Sequence, residues 1–199
     1  MLPPRPTVRL GPPAAQEEVQ LQKLARISSI RRLLDFPWLG AADFLGQSFN
    51  PQAVRGPGWL AWNRAGQDTK RDLSQVFVAI DDELGLVGLY SLSAFALQLD
   101  ELPDDLASKL PRYSAIPAAL IGRLARDLKS RGQRVGDVLL ADAINRVLAA
   151  RKNLGVYAIV VDAVNAMAQD FYASFGFTAL PTRPDRLFLL TSVAERARK

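Results

Sequence analysis

Apolar residues recur along this chain with two different periods, and the alternation predicts the order of elements. From Ala14 to Leu34, Val19, Leu21, Leu24, Ile27, Ile30 and Leu34 recur at mixed three- and four-residue steps, which predicts a helix ended by Asp35-Phe36-Pro37. Gln75 to Ile80 is strand-like, Asp81-Asp82-Glu83-Leu84-Gly85 reads as a turn, and Leu86 to Leu99 is long enough for an antiparallel partner, bulged near Ser93. The acidic stretch Asp100 to Asp105 is a solvated loop or helix start. Ile116 to Ala125 reads as a third, central strand, with Pro117 near its beginning, where a proline is tolerated. Val138, Leu139, Ala141, Ala143, Ile144, Val147 and Leu148 then give Val135 to Lys152 a helical period, closed by Gly155. Val156 to Val161 is a buried strand, Asn165 to Phe175 a short helix stopped by Gly176, and Phe177 to Leu180 and Leu187 to Ser192 are two last strands around a Pro/Arg turn. Strands, helix, strand, helix, strands in that order predict an α/β domain with a mixed sheet.

The flanking composition refines this picture. Residues 1–13 hold five prolines and little that packs, and residues 38–62 are rich in Gly, Pro and aromatics, which reads as loops and short helical turns. The Pro-rich beginning does not resemble a secretory signal, and no apolar run approaches the roughly 20 residues of a membrane span, so a cytoplasmic protein is expected. With 199 residues, 49% of them hydrophobic, one domain with a real core is expected, here residues 37–199, preceded by an extension over residues 1–36.

Two absences constrain the chemistry. The chain has neither Cys nor His, which removes thiolate nucleophiles, imidazole bases, Cys/His zinc sites and Ser–His–Asp triads. A proton donor or acceptor near neutral pH must then be a carboxyl, a phenol, a lysine or water. The net charge of +5 suits an anionic partner, a nucleic acid or a phosphorylated cofactor, although many proteins are mildly basic for no such reason.

Candidate chemistry gathers in two places. Arg131-Gly132-Gln133-Arg134-Val135-Gly136 follows an apolar strand and opens the long helix, where consecutive backbone N–H groups and the helix dipole can hold a pyrophosphate. Downstream, Phe171-Tyr172-Ala173-Ser174-Phe175-Gly176-Phe177 puts a tyrosine at the end of a helix, before a glycine turn. In this order the two pieces resemble the GNAT-type N-acetyltransferases over roughly Gln75 to Leu190. The family signature Gln/Arg-x-x-Gly-x-Gly/Ala is matched at Arg131 and Gly136, while Arg134 stands where the middle glycine belongs. A left-handed backbone there would cost a non-glycine residue about 1 kcal/mol or more.

Within that family the chain is most similar to the GNAT toxins of bacterial type II toxin–antitoxin pairs. Phe77-Val78-Ala79, Gly88-Leu89-Tyr90-Ser91-Leu92, Leu124-Ala125-Arg126-Asp127 and Gly136-Asp137-Val138-Leu139-Leu140-Ala141-Asp142-Ala143 carry the likeness. The resemblance implies a mixed, mostly antiparallel GNAT sheet flanked by helices, acetyl-CoA as co-substrate with no metal, and acetylation of the free amine of aminoacyl-tRNA. It also implies a homodimer and neutralisation by a ribbon-helix-helix antitoxin. Tyr172 would protonate the departing thiolate, a task suited to a phenol with a pKa near 10; the plainer reading is an aromatic packed between helix and sheet. Residues Arg131, Gly132, Gln133, Arg134, Val135, Gly136 and Asp137 would cradle the pyrophosphate, where the alternative is an ordinary strand-to-helix loop. The backbone of Leu124, Ala125 and Arg126, at the end of the central strand, would pair with the pantetheine arm. Asn165 would meet the cofactor, or simply cap its helix.

Arg123, Arg126, Lys129, Arg131 and Arg134, with Arg183 and Arg186 in the last hairpin, offer a surface for a tRNA acceptor end, or serve only the cofactor's phosphates. Trp38, Trp59 and Trp62 could stack bases, though packing explains them more simply. Asp81, Asp82 and Glu83 read as a turn rather than as a substrate site. Since the predicted central strand carries no Asp, Glu or His, an acceptor amine that loses its proton without much help is favoured, such as an α-amino group near pKa 7.7–8.0 rather than a lysine near about 10.4. Two other readings stay open: a small-molecule or protein N-acetyltransferase without tRNA contact, and an inactive GNAT-fold binding module in which Arg134 obstructs the loop.

Overall fold

The computed structural model describes residues 27–32 and 67–198. The readings for residues 1–26 and 33–66, the three tryptophans among them, lie outside the described residues. Strands β1 (Ile27–Arg32), β2 (Gln75–Asp81), β3 (Gly85–Gln98), β4 (Ala115–Ile121), β5 (Ala125–Arg126), β6 (Ala158–Asp162), β7 (Thr178–Ala179) and β8 (Arg186–Leu190) form one sheet. Helices α1 (Asp104–Ala107), α2 (Val135–Ala150), α3 (Ala166–Ser174) and α4 (Thr191–Ala197) flank it. The order across the sheet is β1-β2-β3-β4-β6-β8-β7, with β5 alongside β3. Among the described strands only β4 and β6 run parallel; the other pairs are antiparallel.

Both faces of this sheet are covered, which explains the uninterrupted apolar runs of its central strands. In β6, Ile159 and Val161 face the larger core with α2 and α3, while Ala158 and Val160 face a smaller core with Leu97, Leu102, Leu180 and Phe188. Leu139, Leu140, Ala143 and Val147 bring α2 onto the first face. Gly88 makes this contact possible: a Cβ there would lie 2.7 Å from Leu139 Cδ1 and 3.0 Å from the carbonyl oxygen of Ala125. A buried polar group ties the first strand to α2. The Tyr90 hydroxyl donates to Asp142, Arg146 Nε donates to the same carboxylate at 2.8 Å, and Arg146 Nη2 reaches the Ile30 carbonyl in β1 at 3.0 Å. The Arg146 guanidinium also covers the Phe77 ring, its carbon 4.2 Å from the centroid.

Several expectations are corrected. The helical period predicted over residues 14–34 ends in a strand, because residues 27–32 pair with β2 from Asp81 to Phe77, and β-branched Ile27 and Ile30 pack against the core. Cross-strand pairing overrides a marginal helical pattern here. The sheet therefore begins inside the segment assigned to an extension. The irregularity of the β2–β3 hairpin falls at Ala79/Ile80, not near Ser93, whose pairing with Leu120 is continuous. The turn before Gly85 is fixed by the buried Asp81, whose carboxylate accepts from the Glu83 and Leu84 amides at 2.9 and 2.8 Å. The last strand stops at Leu190, and Thr191–Ala197 is a helix that the sequence reading missed.

Candidate functional site

The sheet splits where the family likeness places the cofactor arm. β4 and β6 pair from Ala118↔Ala158 to Ile121↔Val161 and no further. Beyond Ile121 the chain bends toward β3: the Gly122 amide donates to the Ser91 carbonyl at 2.9 Å, and the Arg123 amide to Ser91 Oγ at 3.0 Å. β5 then re-pairs with β3, Ala125 opposite Leu89 and Arg126 opposite Gly88. The central strand predicted to continue to Ala125 is thus two strands, with Leu124 between them, and among the described residues the end of β6 has no neighbour on that side. The Leu124 N–H makes no hydrogen bond among the described residues.

The loop that follows is anchored from below. The Asp127 amide donates to the Val87 carbonyl at 2.8 Å, its carboxylate accepts from the Lys129 amide at 2.8 Å, and the buried Ser130 hydroxyl donates to the Asp127 carbonyl at 2.8 Å. Two residues then take left-handed backbones, Gly132 at φ +79° and Arg134 at φ 54°, ψ 25°. Arg131 and Gln133 donate back to Leu128 and Ser130, and Asp137 donates to Arg134. The amides of Gly132, Arg134, Val135 and Gly136 make no hydrogen bond among the described residues. Four open N–H groups at the start of a 16-residue helix, with its dipole behind them, are an arrangement able to hold an anion. Arg134 thus takes a left-handed backbone, the region that favours glycine, despite its side chain. Its guanidinium does not plug the loop: Nε donates to Asp137 Oδ2 at 2.5 Å on the first turn of α2, and the side chain stays 53% exposed.

Asn165 begins α3 as a cap, its side-chain oxygen accepting from the Ala168 amide at 2.8 Å. Tyr172 is buried on α3 between Phe171 and Phe177, ring centroids 5.3 and 5.8 Å away. Its hydroxyl has no hydrogen-bond partner among the described residues, yet it is not one of the polar atoms sealed from solvent, so it borders open space. Burial first, and the charge of Asp162 second, push the phenol up to about 12, which keeps it a proton donor throughout the physiological range.

The basic surface predicted around this site is only partly free. Arg123 pairs with Asp68 at 2.9 Å. In the last hairpin Arg183 faces Asp185 at 3.8 Å, and Arg186 grips both oxygens of Asp162 at 2.6 and 2.8 Å. The hairpin is a balanced ion-pair cluster, so the expectation that it adds free cations is corrected. Lys129 and Arg131 are exposed at the phosphate loop. The sequence reading missed Asp162; its signal was a carboxylate closing an otherwise apolar strand. Among the described residues there is no cluster of ligands for a metal and no helix long and apolar enough to cross a membrane.

No family model matches the sequence. A tRNA-acetylating toxin of Mycobacterium tuberculosis is 36% identical over 117 residues, 59% of this chain and 69% of that protein. Among solved structures, AtaT complexed with acetyl-methionyl-tRNAfMet is 25% identical with a TM-score of 0.72, covering 86% of this chain and 99% of that one. AtaTR bound with AcCoA is 26% identical with a TM-score of 0.69, over 86% of this chain and 98% of that one. The eight-stranded mixed sheet flanked by helices is the fold of these toxins. The chain belongs to the GNAT toxin family of acetyltransferases.

Proposed function

We propose that this protein is a toxin that transfers the acetyl group of acetyl-CoA to the α-amino group of an aminoacyl-tRNA and so blocks translation. One observation carries the reading: the loop with four open amides meets α3, since a Cβ at Gly136 would lie 3.6 Å from the Phe171 ring, and the next residue of α3 is a buried phenol whose hydroxyl borders open space. The similarity to a tRNA-acetylating toxin, and to AtaT solved with acetyl-methionyl-tRNAfMet, supports the choice of substrate.

In this reading the amides of Gly132, Arg134, Val135 and Gly136 hold the diphosphate, with Arg131, Gln133, Arg134 and Asp137 around them. The backbone of Leu124, Ala125 and Arg126 lines the arm, and the open Leu124 N–H polarises the thioester carbonyl. Asn165 holds the start of α3, and through it Tyr172, in place. The amine forms the new N–C bond as the C–S bond breaks; Tyr172 gives its proton to the leaving sulfur and regains one from water, and the nitrogen's surplus proton leaves to solvent. No metal takes part.

Lys129 and Arg131, exposed beside the loop, fit a polyanionic substrate. The catalytic unit begins with β1, which leaves residues before Ile27 as the extension. We place the protein in the cytoplasm, as a homodimer, with a ribbon-helix-helix antitoxin as its neutralising partner.

The test is transfer of labelled acetyl from acetyl-CoA to a panel of charged tRNAs by the full chain and by Tyr172→Phe. Transfer to at least one tRNA is expected, falling by about 10²- to 10⁴-fold in the variant while acetyl-CoA binding persists. No transfer to any charged tRNA would refute the substrate, and equal rates would refute the role of the phenol.

A further inference from the structure

Asp162 is the last residue of β6 and lies one position past the final rung shared with β4, where the sheet opens. Arg186, its register partner on β8, holds both carboxylate oxygens, and the side chain of Arg186 is only 12% exposed. The guanidinium carbon in turn sits 4.8 Å from the centroid of the Phe95 ring on β3. A residue of the β6–β8 half thus rests on a ring of the β3–β4 half, beside the place where the two halves part. The carboxylate is fixed from behind but not consumed. It has about four lone-pair sites, Arg186 takes two, and 44% of the side chain remains exposed. Its charge reaches the Tyr172 phenol, so the two groups share one electrostatic environment.

Within the hairpin and its β6 partner the ion pairs balance, and Glu101, from outside them, also acts on Arg186, so carboxylates outnumber guanidiniums around that side chain. The phosphate loop has the opposite sign, with Lys129, Arg131 and Arg134 around open amides. By strand alternation Asp162 lies on the face of the smaller core, across the open end of the sheet from α3 and Tyr172, so a cofactor anion at the loop and a cationic acceptor at Asp162 would approach the split from different sides.

We propose that Asp162 is the docking point for the acceptor's α-amino group, with Arg186 and Phe95 as the positioning residues that aim it. The amine donates to the free lone pairs of Asp162 as an ammonium ion, sheds a proton to solvent readily because its pKa is low, and stays hydrogen-bonded there as the neutral nucleophile. This rests on the acetyltransferase reading above and adds the residue that recognises the amine.

The experiment is steady-state kinetics with a charged tRNA that the wild-type protein acetylates, together with acetyl-CoA binding and thermal melting, for Asp162→Asn and Arg186→Gln. Asp162→Asn is expected to raise KM for the charged tRNA about tenfold, the scale of one lost charge-assisted hydrogen bond, and to leave acetyl-CoA affinity within about twofold. Arg186→Gln breaks the same ion pair but keeps the carboxylate, and should raise the acceptor KM less. If both variants instead lose melting temperature and acetyl-CoA affinity together, with the acceptor KM unmoved or equally moved, Asp162 is only a staple between β6 and β8 and the inference is overturned. Failure of the wild-type protein to acetylate any charged tRNA would refute the acetyltransferase reading itself, a distinct result.

Discussion

Replacing Arg134 by glycine and, in parallel, by alanine isolates the backbone energy of the phosphate loop. Both substitutions remove the same guanidinium and the same exposed ion pair to Asp137, worth about 0–1 kcal/mol, so that loss cancels between them. What differs is the Cβ. At φ 54°, ψ 25° an alanine pays the left-handed cost of roughly 1–2 kcal/mol and glycine does not. Against this, glycine gives up about 0.5–1 kcal/mol of extra chain entropy on folding. The balance favours Arg134→Gly over Arg134→Ala by about 0.5–1 kcal/mol, which in a chain of this size is about 1–4 °C in Tm. The sign is decisive, because at a helical or extended position alanine would be the more stable of the two. The assay is thermal melting of both variants in parallel at low ligand concentration. An alanine variant that melts at or above the glycine variant would refute the left-handed assignment, and with it the claim that position 134 favours glycine.

Other expectations follow from packing and proton linkage. Gly88→Ala should lower Tm and weaken acetyl-CoA binding measured by calorimetry, since the new methyl would meet the Ala125 carbonyl at 3.0 Å and push β5 from its place; overpacking of this kind costs about 1–3 kcal/mol. The phenol of Tyr172 is raised from 10.0 to about 12 in the folded state. A raised folded value means that its stabilisation is complete below the unfolded value near 10 and is lost as pH rises through 12, at up to about 1.4 kcal/mol per pH unit. Urea melts of wild type and Tyr172→Phe between those pH values should therefore show a steeper fall for the wild type, and parallel curves would contradict the buried phenol. Tyr90→Phe should destabilise by about 1–3 kcal/mol in denaturant titration, because it removes a buried donor to Asp142 beneath the contact that holds β1; no change would show that Arg146 alone satisfies that carboxylate.

The long elements were legible because one pattern dominated each. Leu139, Leu140, Ala143 and Val147 mark a helix whatever surrounds it, and Gln75 to Ile80 is too apolar and too short to be anything but a buried strand. The loop before α2 was legible as a candidate anion site, since its open groups are backbone amides rather than side chains of a particular type. The reading failed where tertiary pairing decided the outcome. Ile27 and Ile30 fit a helical or a strand spacing equally well, and only the presence of β2 selects the strand. The break after Ile121 was passed over, because Leu124 and Ala125 resume the apolar run beyond Gly122-Arg123, whose two amides turn to Ser91. Arg186 read as free charge for a related reason: its partner Asp162 is 24 residues earlier and adjacent only across the β6–β8 ladder. Local pattern reports burial and period; it does not report which charges cancel.

The absence of histidine and the position of Asp162 bear on the same question of how the nucleophile loses its proton. A lysine acceptor, with a side-chain pKa near about 10.4, would need a strong base at the cleft to expose its lone pair at neutral pH. The described strands β4 and β5 offer none, and Asp162 is already ion-paired to Arg186, an arrangement that suits holding a cation rather than accepting its proton. An α-amino group near about 7.7–8.0, lowered further by an ester bond on the adjacent carboxyl, sheds its proton to water without such help. The cleft then needs to aim the amine and protonate the departing sulfur, not to deprotonate the nucleophile. In this reading a carboxylate held in place by a guanidinium and a phenol kept neutral by burial meet those two needs. The same residues placed around a lysine would bind it well and acetylate it slowly.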